Sequence, residues 1–191
     1  MQQKSLNLGK NIFAKDNNKI GLIYLFSFLL IYEGVIAYYT KFLTVPCWGD
    51  ETHFINTIKL FGNKIDFNSL KNYTDRQTPL SFILYALWGR MFGFEIQKLR
   101  IFSLIVALIT YLLYYYLVYY IFKDWRIAPL MVIFFALNPY MIGLSVFVYT
   151  DMLSILLLLL GAISIMRKNP VVFWISSTCV LLTRQYAVFF V

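Results

Sequence analysis

Three ionisable side chains stand together in the stretch VPCWGDETHF, residues 45–54, just beyond a long apolar region. They are Asp50, Glu51 and His53, the single histidine of the chain. A carboxylate can take a proton from a hydroxyl group, and a neighbouring acid or histidine can orient it. The same residues are compatible with an exposed loop. They are too few for a metal-ligand set, so we expect neither a metal nor a cofactor.

Arg184 is the polar residue that is hardest to explain as surface, because it falls within an apolar region and is followed by Gln185. An arginine inside a membrane span is costly and usually faces a partner or a cavity. Its planar guanidinium suits a phosphate or a carboxylate. Asp151 begins another apolar region, where it could cap a helix or join a site. Arg76 is a weaker phosphate-binding candidate. A carboxylate base beside an arginine suits transfer from a phosphate donor.

The composition restricts where such a site can lie. Of the 191 residues, 60% are hydrophobic, 19% aromatic and 14% charged. Soluble domains carry about 45–50% apolar and about 25% charged residues. The apolar residues come in blocks, which predicts a multi-pass membrane protein. The net charge of +8 is explained by membrane orientation and lipid headgroups, so we expect no nucleic-acid partner.

Blocks of about 20 apolar residues are needed to cross a bilayer as helices. The sequence predicts an all-α transmembrane bundle of about five spans, the last of which is still apolar where the chain stops. We therefore expect a cytoplasmic segment, residues 1–19, and the N-terminal part of a larger membrane domain, residues 20–191. The predicted spans are Ile20–Tyr39, Ile101–Phe122, Ile127–Phe147, Met152–Met166 and a segment from Val171 onward.

A long loop, residues 40–100, separates the first two predicted spans. In THFINTIKLFG, an amphipathic surface helix is predicted from four apolar residues on one face: Phe54, Ile55, Ile58 and Phe61. In TPLSFILYALWGRMFG, a second short helix is predicted, with Thr78 as its N-cap and Pro79 in its first turn.

Basic residues predict the orientation of the bundle. Lysines precede the first span, and basic pairs occupy two short connections, at Lys123 and Arg126 and at Arg167 and Lys168. Short cytoplasmic loops are enriched in such residues, so residues 40–100 and 148–151 are expected on the outer or luminal face. The acids and Arg184 would then gather at one membrane face.

These motifs, in this order, resemble the GT-C superfamily of polyprenyl-phosphate-sugar-dependent glycosyltransferases. GDETHF is similar to the Asp-Glu motif that opens the family's outer loop, and DRQTPLSFILYALWGRMFGFEIQKLRIFSL to its second juxtamembrane helix and second span. The nearest likeness is to the dolichyl-phosphate-glucose-dependent alpha-1,2-glucosyltransferases, with VYTDMLS and LTRQYAVFF similar to their acidic and Arg-Gln elements.

The resemblance implies roles for the candidate residues. Asp50 would be the catalytic base and Glu51 an auxiliary acid that orients it. Arg184 and Gln185 would contact the donor phosphate or hold the acids. Asp151 would bind acceptor or shape the pocket. His53 and Arg76 complete the expected substrate-binding set.

The resemblance also implies an inverting transferase that moves a hexose from a polyprenyl- or dolichyl-phosphate sugar to a glycan, lipid or protein acceptor. The lipid-linked sugar is a substrate, and membrane lipid is the surrounding partner. The sugar, the acceptor, the membrane (a prokaryotic plasma membrane or the endoplasmic reticulum) and the activity of this chain alone stay open. The alternative is a transporter, with Glu33 and Arg184 as pathway residues, or a non-catalytic subunit that binds a lipid phosphate.

Overall fold

The computed structural model describes residues 2–75 and 77–186, with side chains from residue 19 onward except that of Asn63. Within these residues the chain is helical and contains no strand. The helices are α1 (Gln2–Tyr39), α2 (Glu51–Asn63), α3 (Phe67–Lys71), α4 (Leu80–Phe92), α5 (Ile96–Phe122), α6 (Ile127–Ala136), α7 (Pro139–Val146), α8 (Asp151–Met166) and α9 (Pro170–Leu181).

Two of the described helices are long and apolar enough to cross a membrane: the Lys19–Tyr39 part of α1, with 21 residues, and α5, with 27. Helices α6 and α7 meet at a bend of 74° and could form one broken third span. The bend falls where Asn138 caps α7 and Pro139 begins it. The membrane-protein class expected from the composition therefore holds at the level of two or three candidate spans.

Fewer than five of the described helices are long enough to cross a bilayer. Helix α8 has 16 residues and α9 has 12. At 1.5 Å per residue they extend about 24 Å and about 18 Å, against a hydrocarbon core of about 30 Å. The fourth and fifth spans thus stay predictions.

Helix α5 is the central element, because it packs against α4, α6, α7 and α8, while α9 lies on the outer side of α8. The core between these helices is apolar and aromatic. Leu25 of α1, Tyr111 of α5, Val132 of α6 and Met152 of α8 are all at most 1% exposed. This core holds the ends of α5, α8 and α9 in fixed positions relative to one another.

The amphipathic helix predicted in the long loop is confirmed as α2. Its four apolar residues are buried at 8% exposure or less, and they pack onto α4. The buried partners on α4 are Phe82, Tyr85 and Ala86. Residues 51–92 therefore form a small helical layer with its own apolar core at one end of the bundle.

The second predicted surface helix exists as α4, but its start differs from the prediction. Pro79 is the N-cap, and Thr78 does not cap the helix. The Thr78 hydroxyl instead donates to the Leu181 carbonyl at 3.1 Å, and the Leu80 N–H donates to the Leu182 carbonyl at 3.0 Å. The start of α4 thus satisfies carbonyls that the end of α9 would otherwise leave unpaired.

Because of this contact, α9 ends at Leu181, and Arg184 lies beyond the helix. The expectation that Arg184 lies inside a fifth span is therefore wrong for the described residues, which end at Tyr186. Residues 187–191, which belong to the predicted fifth span, fall outside the described residues.

The basic segments lie at one end of the bundle. Tyr24 of α1 stacks on Trp125 of the α5–α6 turn at 6.5 Å between ring centroids. The Tyr120 hydroxyl reaches the Met166 carbonyl at 3.5 Å, which joins the α5–α6 and α8–α9 turns. We call this the basic end. Residues 43–51 and 148–151 meet at the opposite end, where the candidate site lies. Which end faces the cytoplasm stays a prediction.

Candidate functional site

A cavity of about 470 Å³ opens where α2, the segment before α4 and the end of α9 meet. Four of the predicted site residues, from two distant segments, line it together. We call it the polar cavity. Its lining residues are Asp50, His53, Phe54, Asp75, Gln77, Arg184, Gln185 and Tyr186.

Asp50 occupies the N-cap position of α2, but its carboxylate accepts no capping hydrogen bond. The residue is exposed to the cavity, and the carboxylate is not used to stabilise the helix. An N-cap aspartate normally accepts a bond from a backbone N–H of the first turn. The carboxylate of Asp50 is therefore placed so that it can act on a ligand.

His53 lies one turn further along α2 and contacts Asp75, with 2.8 Å between His53 Nε2 and Asp75 Oδ2. The His53 side chain is 62% exposed, while that of Asp75 is 11% exposed. The contact with Asp75 thus orients the imidazole ring and occupies one of its two nitrogens. The second ring nitrogen is left for solvent or a ligand.

Arg184 forms an ion pair with Asp151, and the two side chains are 15% and 16% exposed. The other carboxylate oxygen of Asp151 accepts from the Tyr186 hydroxyl at 3.0 Å. The Nε of Arg184 is buried and has no hydrogen-bond partner among the described residues. The guanidinium therefore retains an unused donor at the cavity wall.

Gln77 connects the cavity to the start of α8. Its side-chain oxygen accepts from the Thr150 hydroxyl at 2.7 Å, and its backbone carbonyl accepts from Tyr73. Burial raises the pKa of the Tyr73 phenol, and nearby Asp75 adds to that rise. Tyr73 thus stays a neutral donor. Arg76, predicted as a weak phosphate ligand, lies outside the described residues.

Glu51 occupies a different environment from Asp50. Its carboxylate is fully buried against Arg100 of α5, with both side chains 0% exposed. The two bonds run from Arg100 Nε to Glu51 Oε1 at 2.9 Å and from Nη2 to Oε2 at 2.6 Å. The Val148 and Trp48 N–H groups donate to the remaining oxygen lone pairs, at 3.0 and 3.2 Å.

The guanidinium of Arg100 is similarly saturated. It donates to the carbonyl oxygens of Leu43, Val45 and Pro46 at 2.8, 2.7 and 3.2 Å. The backbone before this point is strained, since Lys41, Phe42 and Leu43 have φ values of +48°, +55° and +66°. We call Glu51, Arg100 and these bonded groups the buried knot. Glu51 is not among the polar cavity's lining residues, so it can orient Asp50 only through the backbone of α2.

Tyr149 lies between the knot and the cavity. Its hydroxyl donates to the Trp48 carbonyl at 3.0 Å, and its ring meets that of Phe54 edge-on at 5.7 Å. Burial raises the pKa of the Tyr149 phenol, and the negative charges of Glu51 and Asp50 raise it further. Tyr149 therefore remains a hydrogen-bond donor at neutral pH.

A second cavity of about 320 Å³ adjoins the Asp151–Arg184 pair, and we call it the aromatic cavity. Its wall on α7 includes Gly143, where an added Cβ would meet no atom within 4 Å. Both cavities fall within or near the range of about 300–1,000 Å³ typical of ligand pockets. The lining residues are Trp48, Pro139, Tyr140, Gly143, Leu144, Phe147, Tyr149 and Asp151.

In the described part of the chain, no three His, Cys, Asp or Glu residues are grouped so that they could hold a metal ion. Near the polar cavity, Arg184 is instead paired with Asp151, and His53 with Asp75. What they offer chemically is an open carboxylate at Asp50, a guanidinium donor at Arg184 and an imidazole at His53. This set can accept a proton and hold an anion.

Sequence reasoning missed Arg100, Asp75, Gln77 and Tyr149. Arg100 directly precedes an apolar block, where a basic residue ordinarily marks a helix end. A usable signal was that the start of the second predicted span and the loop that holds Glu51 were both expected at one membrane face, where an acid and an arginine can pair. For Asp75 and Gln77 the only signal was their position beside the predicted Arg76.

Comparison of the chain with family models, with curated proteins and with solved structures finds no match to any of them.

Proposed function

We propose that this protein is an integral membrane glycosyltransferase of the GT-C type. It transfers a hexose from a polyprenyl- or dolichyl-phosphate sugar to a glycan, lipid or protein acceptor at the outer or luminal face. In this proposal the bundle contains about five spans, with α8 and α9 as a short fourth and a short fifth span. Asp50 removes the proton of the acceptor hydroxyl, and the sugar is transferred with inversion in one displacement.

The observation that carries the proposal is the polar cavity itself. Asp50, His53, Arg184 and Gln185 come from segments more than a hundred residues apart, and they line one space of about 470 Å³. A base must lie within hydrogen-bond reach of the proton it removes, and Asp50 has no competing capping bond. Loop acids without a common function would have no reason to share a cavity with an arginine.

Arg184 supports a phosphate donor as the second substrate. Its Nε is buried without a partner, although its Nη2 is already paired with Asp151. Because the Nε is buried, an incoming phosphate can use this donor after a shift of the Arg184 side chain, and it then gains a charge-assisted hydrogen bond. Charge that develops on the departing phosphate is stabilised by the same group. Gln185 adds an amide at the same wall.

The aromatic cavity supports a lipid-linked form of that donor. It is walled mainly by apolar and aromatic side chains and by Asp151, whose partner Arg184 lines the polar cavity. A phosphate held at Arg184 would leave an attached isoprenoid beside Tyr140, Leu144 and Phe147. Burying apolar surface there contributes about 25 cal/mol per Å².

The test is transfer of labelled hexose in membranes that contain the full chain. Polyprenyl-phosphate glucose and polyprenyl-phosphate mannose are supplied as separate donors. The substitution Asp50→Asn should reduce transfer at least about a hundredfold, because a positioned base contributes about 10²–10⁴ in rate. Donor binding should change less than about threefold, since Asp50 makes no bond to Arg184.

Glu95→Gln is the matched control. Glu95 carries the same charge in the same predicted loop, is 68% exposed, and among the described residues pairs with Lys98, one turn away. Normal transfer in the Asp50→Asn variant would overturn the assignment of the base. Absence of transfer by the wild-type chain with either donor, despite binding of both, would favour the non-catalytic lipid-phosphate subunit.

One observation favours the transporter alternative. Glu33 lies within the membrane-spanning part of α1, and its Oε1 is buried without a hydrogen-bond partner among the described residues. Intramembrane acids often serve in ion or proton pathways. Flux that depends on Glu33, in sealed vesicles and without sugar transfer, would establish that function instead.

A further inference from the structure

The basic end of the bundle carries cations that the polar cavity does not use. Four basic residues of the two turns form no ion pair with a described acid. The single acid among them, Asp124, accepts the Arg126 N–H at 2.8 Å with its side chain. The four residues are Lys123, Arg126, Arg167 and Lys168, and all are exposed.

Two tyrosines of α5 hold two of these cations, Lys123 and Arg167, in place. The Arg167 guanidinium lies 4.9 Å from the Tyr116 ring centroid, and its Nε donates to the Tyr116 hydroxyl at 2.7 Å. The Lys123 ammonium lies 3.9 Å from the Tyr120 ring centroid. Cations over aromatic rings are oriented as well as attracted. The positive charges are therefore positioned before any ligand arrives.

The two turns are also joined to each other. The Tyr120 hydroxyl, beneath Lys123, donates to the Met166 carbonyl next to Arg167. Lys123 and Lys168 both adopt left-handed backbone conformations, with φ of +54°, where their helices end. The cations of the α5–α6 and α8–α9 turns thus belong to one patch.

A small cavity of about 260 Å³ lies beside this patch, between the end of α8 and the start of α9. Lys168 lines it together with Ile165, Pro170 and Phe173, and it is open and mainly apolar. Cationic side chains next to an apolar recess complement a molecule that has an anionic head and an apolar body. Free phosphate would use only the first of these features.

We propose that this patch, formed by Lys123, Arg167 and Lys168 with Tyr116 and Tyr120, binds the phosphodiester headgroup of an anionic phospholipid. The headgroup meets the Lys123 and Arg167 cations, and the glycerol and upper acyl chain enter the recess beside Lys168. Juxtamembrane basic residues gain about 1 kcal/mol each from anionic lipid, and basic pockets between helices hold such headgroups. This inference does not depend on the proposed transferase activity.

The experiment is lipid competition on the full chain in phosphatidylcholine nanodiscs. A fluorescent phosphatidylglycerol, quenched or enhanced at the protein, is displaced by unlabelled phosphatidylglycerol, by phosphatidylcholine and by inorganic phosphate. The wild-type chain should prefer phosphatidylglycerol over phosphatidylcholine by at least tenfold. The double variant Lys123→Gln/Arg167→Gln should lose most of that preference, because each charge is worth about fivefold. Inorganic phosphate should displace little of the probe.

Lys59→Gln/Lys71→Gln is the matched control, because it removes two exposed lysines from the opposite end of the bundle. It should keep the wild-type preference. A preference below threefold in the wild-type chain, or an equal loss in both double variants, would overturn the proposal. Displacement by inorganic phosphate at the concentration of the lipid would overturn it too.

Tyr116→Phe separates a built site from bare charge. It removes the hydroxyl that orients Arg167 and leaves every charge in place. The preference for phosphatidylglycerol should fall about threefold, the loss expected for a single hydrogen bond of about 0.5–1.5 kcal/mol. A preference equal to that of the wild type would show that the tyrosine does not shape the site and would contradict the geometry proposed here.

Discussion

Two arginine–carboxylate pairs lie near the same end of the molecule, and they differ in how completely they are bonded. Glu51 and Arg100 are both 0% exposed, and their oxygens and nitrogens also bond to five backbone groups. Asp151 and Arg184 are 15–16% exposed, lie at cavity walls, and leave the Arg184 Nε without a partner.

The difference separates a structural pair from one that can bind a ligand. A buried ion pair repays its desolvation only when its remaining hydrogen-bonding groups are satisfied, and the buried knot meets that condition. The knot has no capacity left for a ligand. The Asp151–Arg184 pair keeps an unused donor next to a space that a ligand can enter. Proximity of an acid to an arginine is therefore a poor guide to function unless the remaining hydrogen bonds are counted.

The largest effect should come from Arg100→Met. Removing the arginine leaves Glu51 buried and unpaired, which costs about 3–5 kcal/mol. Thermal unfolding in detergent should show a large fall in Tm or a loss of folded protein. Lys98→Met is the control, because Lys98 lies on the same turn of α5 and is 39% exposed. A Tm change in the Arg100 variant no greater than in this control would remove the distinction between the two pairs.

The second prediction concerns Arg184→Gln. Stability should fall by less than in the Arg100 variant, because the pair is 15–16% exposed and Asp151 keeps its hydrogen bond from Tyr186. Binding of farnesyl phosphate should weaken at least about tenfold through loss of charge-assisted bonds. Isothermal titration measures the second effect and thermal unfolding the first. Lys59→Gln serves as the control, because Lys59 is an exposed cation that lines neither cavity and lies outside the basic end. A variant that binds normally would mean that both pairs are structural.

A substitution that fills the aromatic cavity tests whether the apolar part of the ligand binds there. Gly143→Leu should block the aromatic cavity, since a Cβ at Gly143 meets no atom within 4 Å. Farnesyl phosphate should bind about fivefold more weakly, while inorganic phosphate at Arg184 is unaffected. Gly34→Leu is the control, as Gly34 is equally open but lines neither cavity. Equal binding by both variants would exclude the aromatic cavity as the site of the lipid chain.

The smallest effect is expected at Asp75→Asn. His53 should lose its charged partner, and ligand binding should change by about threefold or less, as for an exposed pair. Because His53 is the single histidine, its ring nitrogen resonances can be followed without assignment. The Nε2 resonance should shift in the variant. An unchanged resonance would show that the Asp75 contact does not hold the ring.

The ionisation of Tyr149 probes the region between the two arginine–carboxylate pairs. Its phenol has a pKa raised above 10.0 by burial and by the charges of Glu51 and Asp50. The folded state therefore holds this proton more tightly than the unfolded state does. The stabilisation is fully present below about pH 10 and is lost as the pH rises through the folded value. Phenolate absorbance, compared between wild type and Tyr149→Phe, should show a component that titrates above pH 10.

Much of the polar cavity was predictable because its residues conflict with their surroundings. Asp50 and Arg184 lie beside or within apolar sequence, as does Asp151 of the adjoining aromatic cavity. The basic residues of the short connections predicted that these three residues gather at the opposite end of the bundle. The helical period in α2 predicted its buried face, since Phe54, Ile55, Ile58 and Phe61 repeat at helical spacing. Local pattern was sufficient for these features.

The rest depends on contacts between distant segments. The end of α9 at Leu181 follows from carbonyl bonds to Thr78 and Leu80, about a hundred residues earlier. An apolar run gives no sign of such a stop. Likewise, nothing near Glu51 in the sequence indicates that its carboxylate is fully bonded to Arg100. Its neighbour Asp50 was the only visible partner, which is why an auxiliary role beside that acid was predicted. Helix length also could not be read from composition: α8 has the predicted bounds to within one residue, whereas α9 ends at Leu181, before the predicted fifth span does.

The spacing of the two pairs along the chain sets an order for assembly during synthesis. Arg100 follows Glu51 by 49 residues, so the first pair can form before α6 exists. Val148 can add its bond to Glu51 only after a further 48 residues, since it lies 97 residues from that acid. Arg184 comes later still, 33 residues after Asp151. Because chains emerge N-terminus first, the knot is available as a scaffold onto which the later helices dock, and the polar cavity closes last. A stalled chain that has left the ribosome as far as a residue between Val148 and Arg184 would therefore hold the helical layer of residues 51–92 in place while its ligand site is still open.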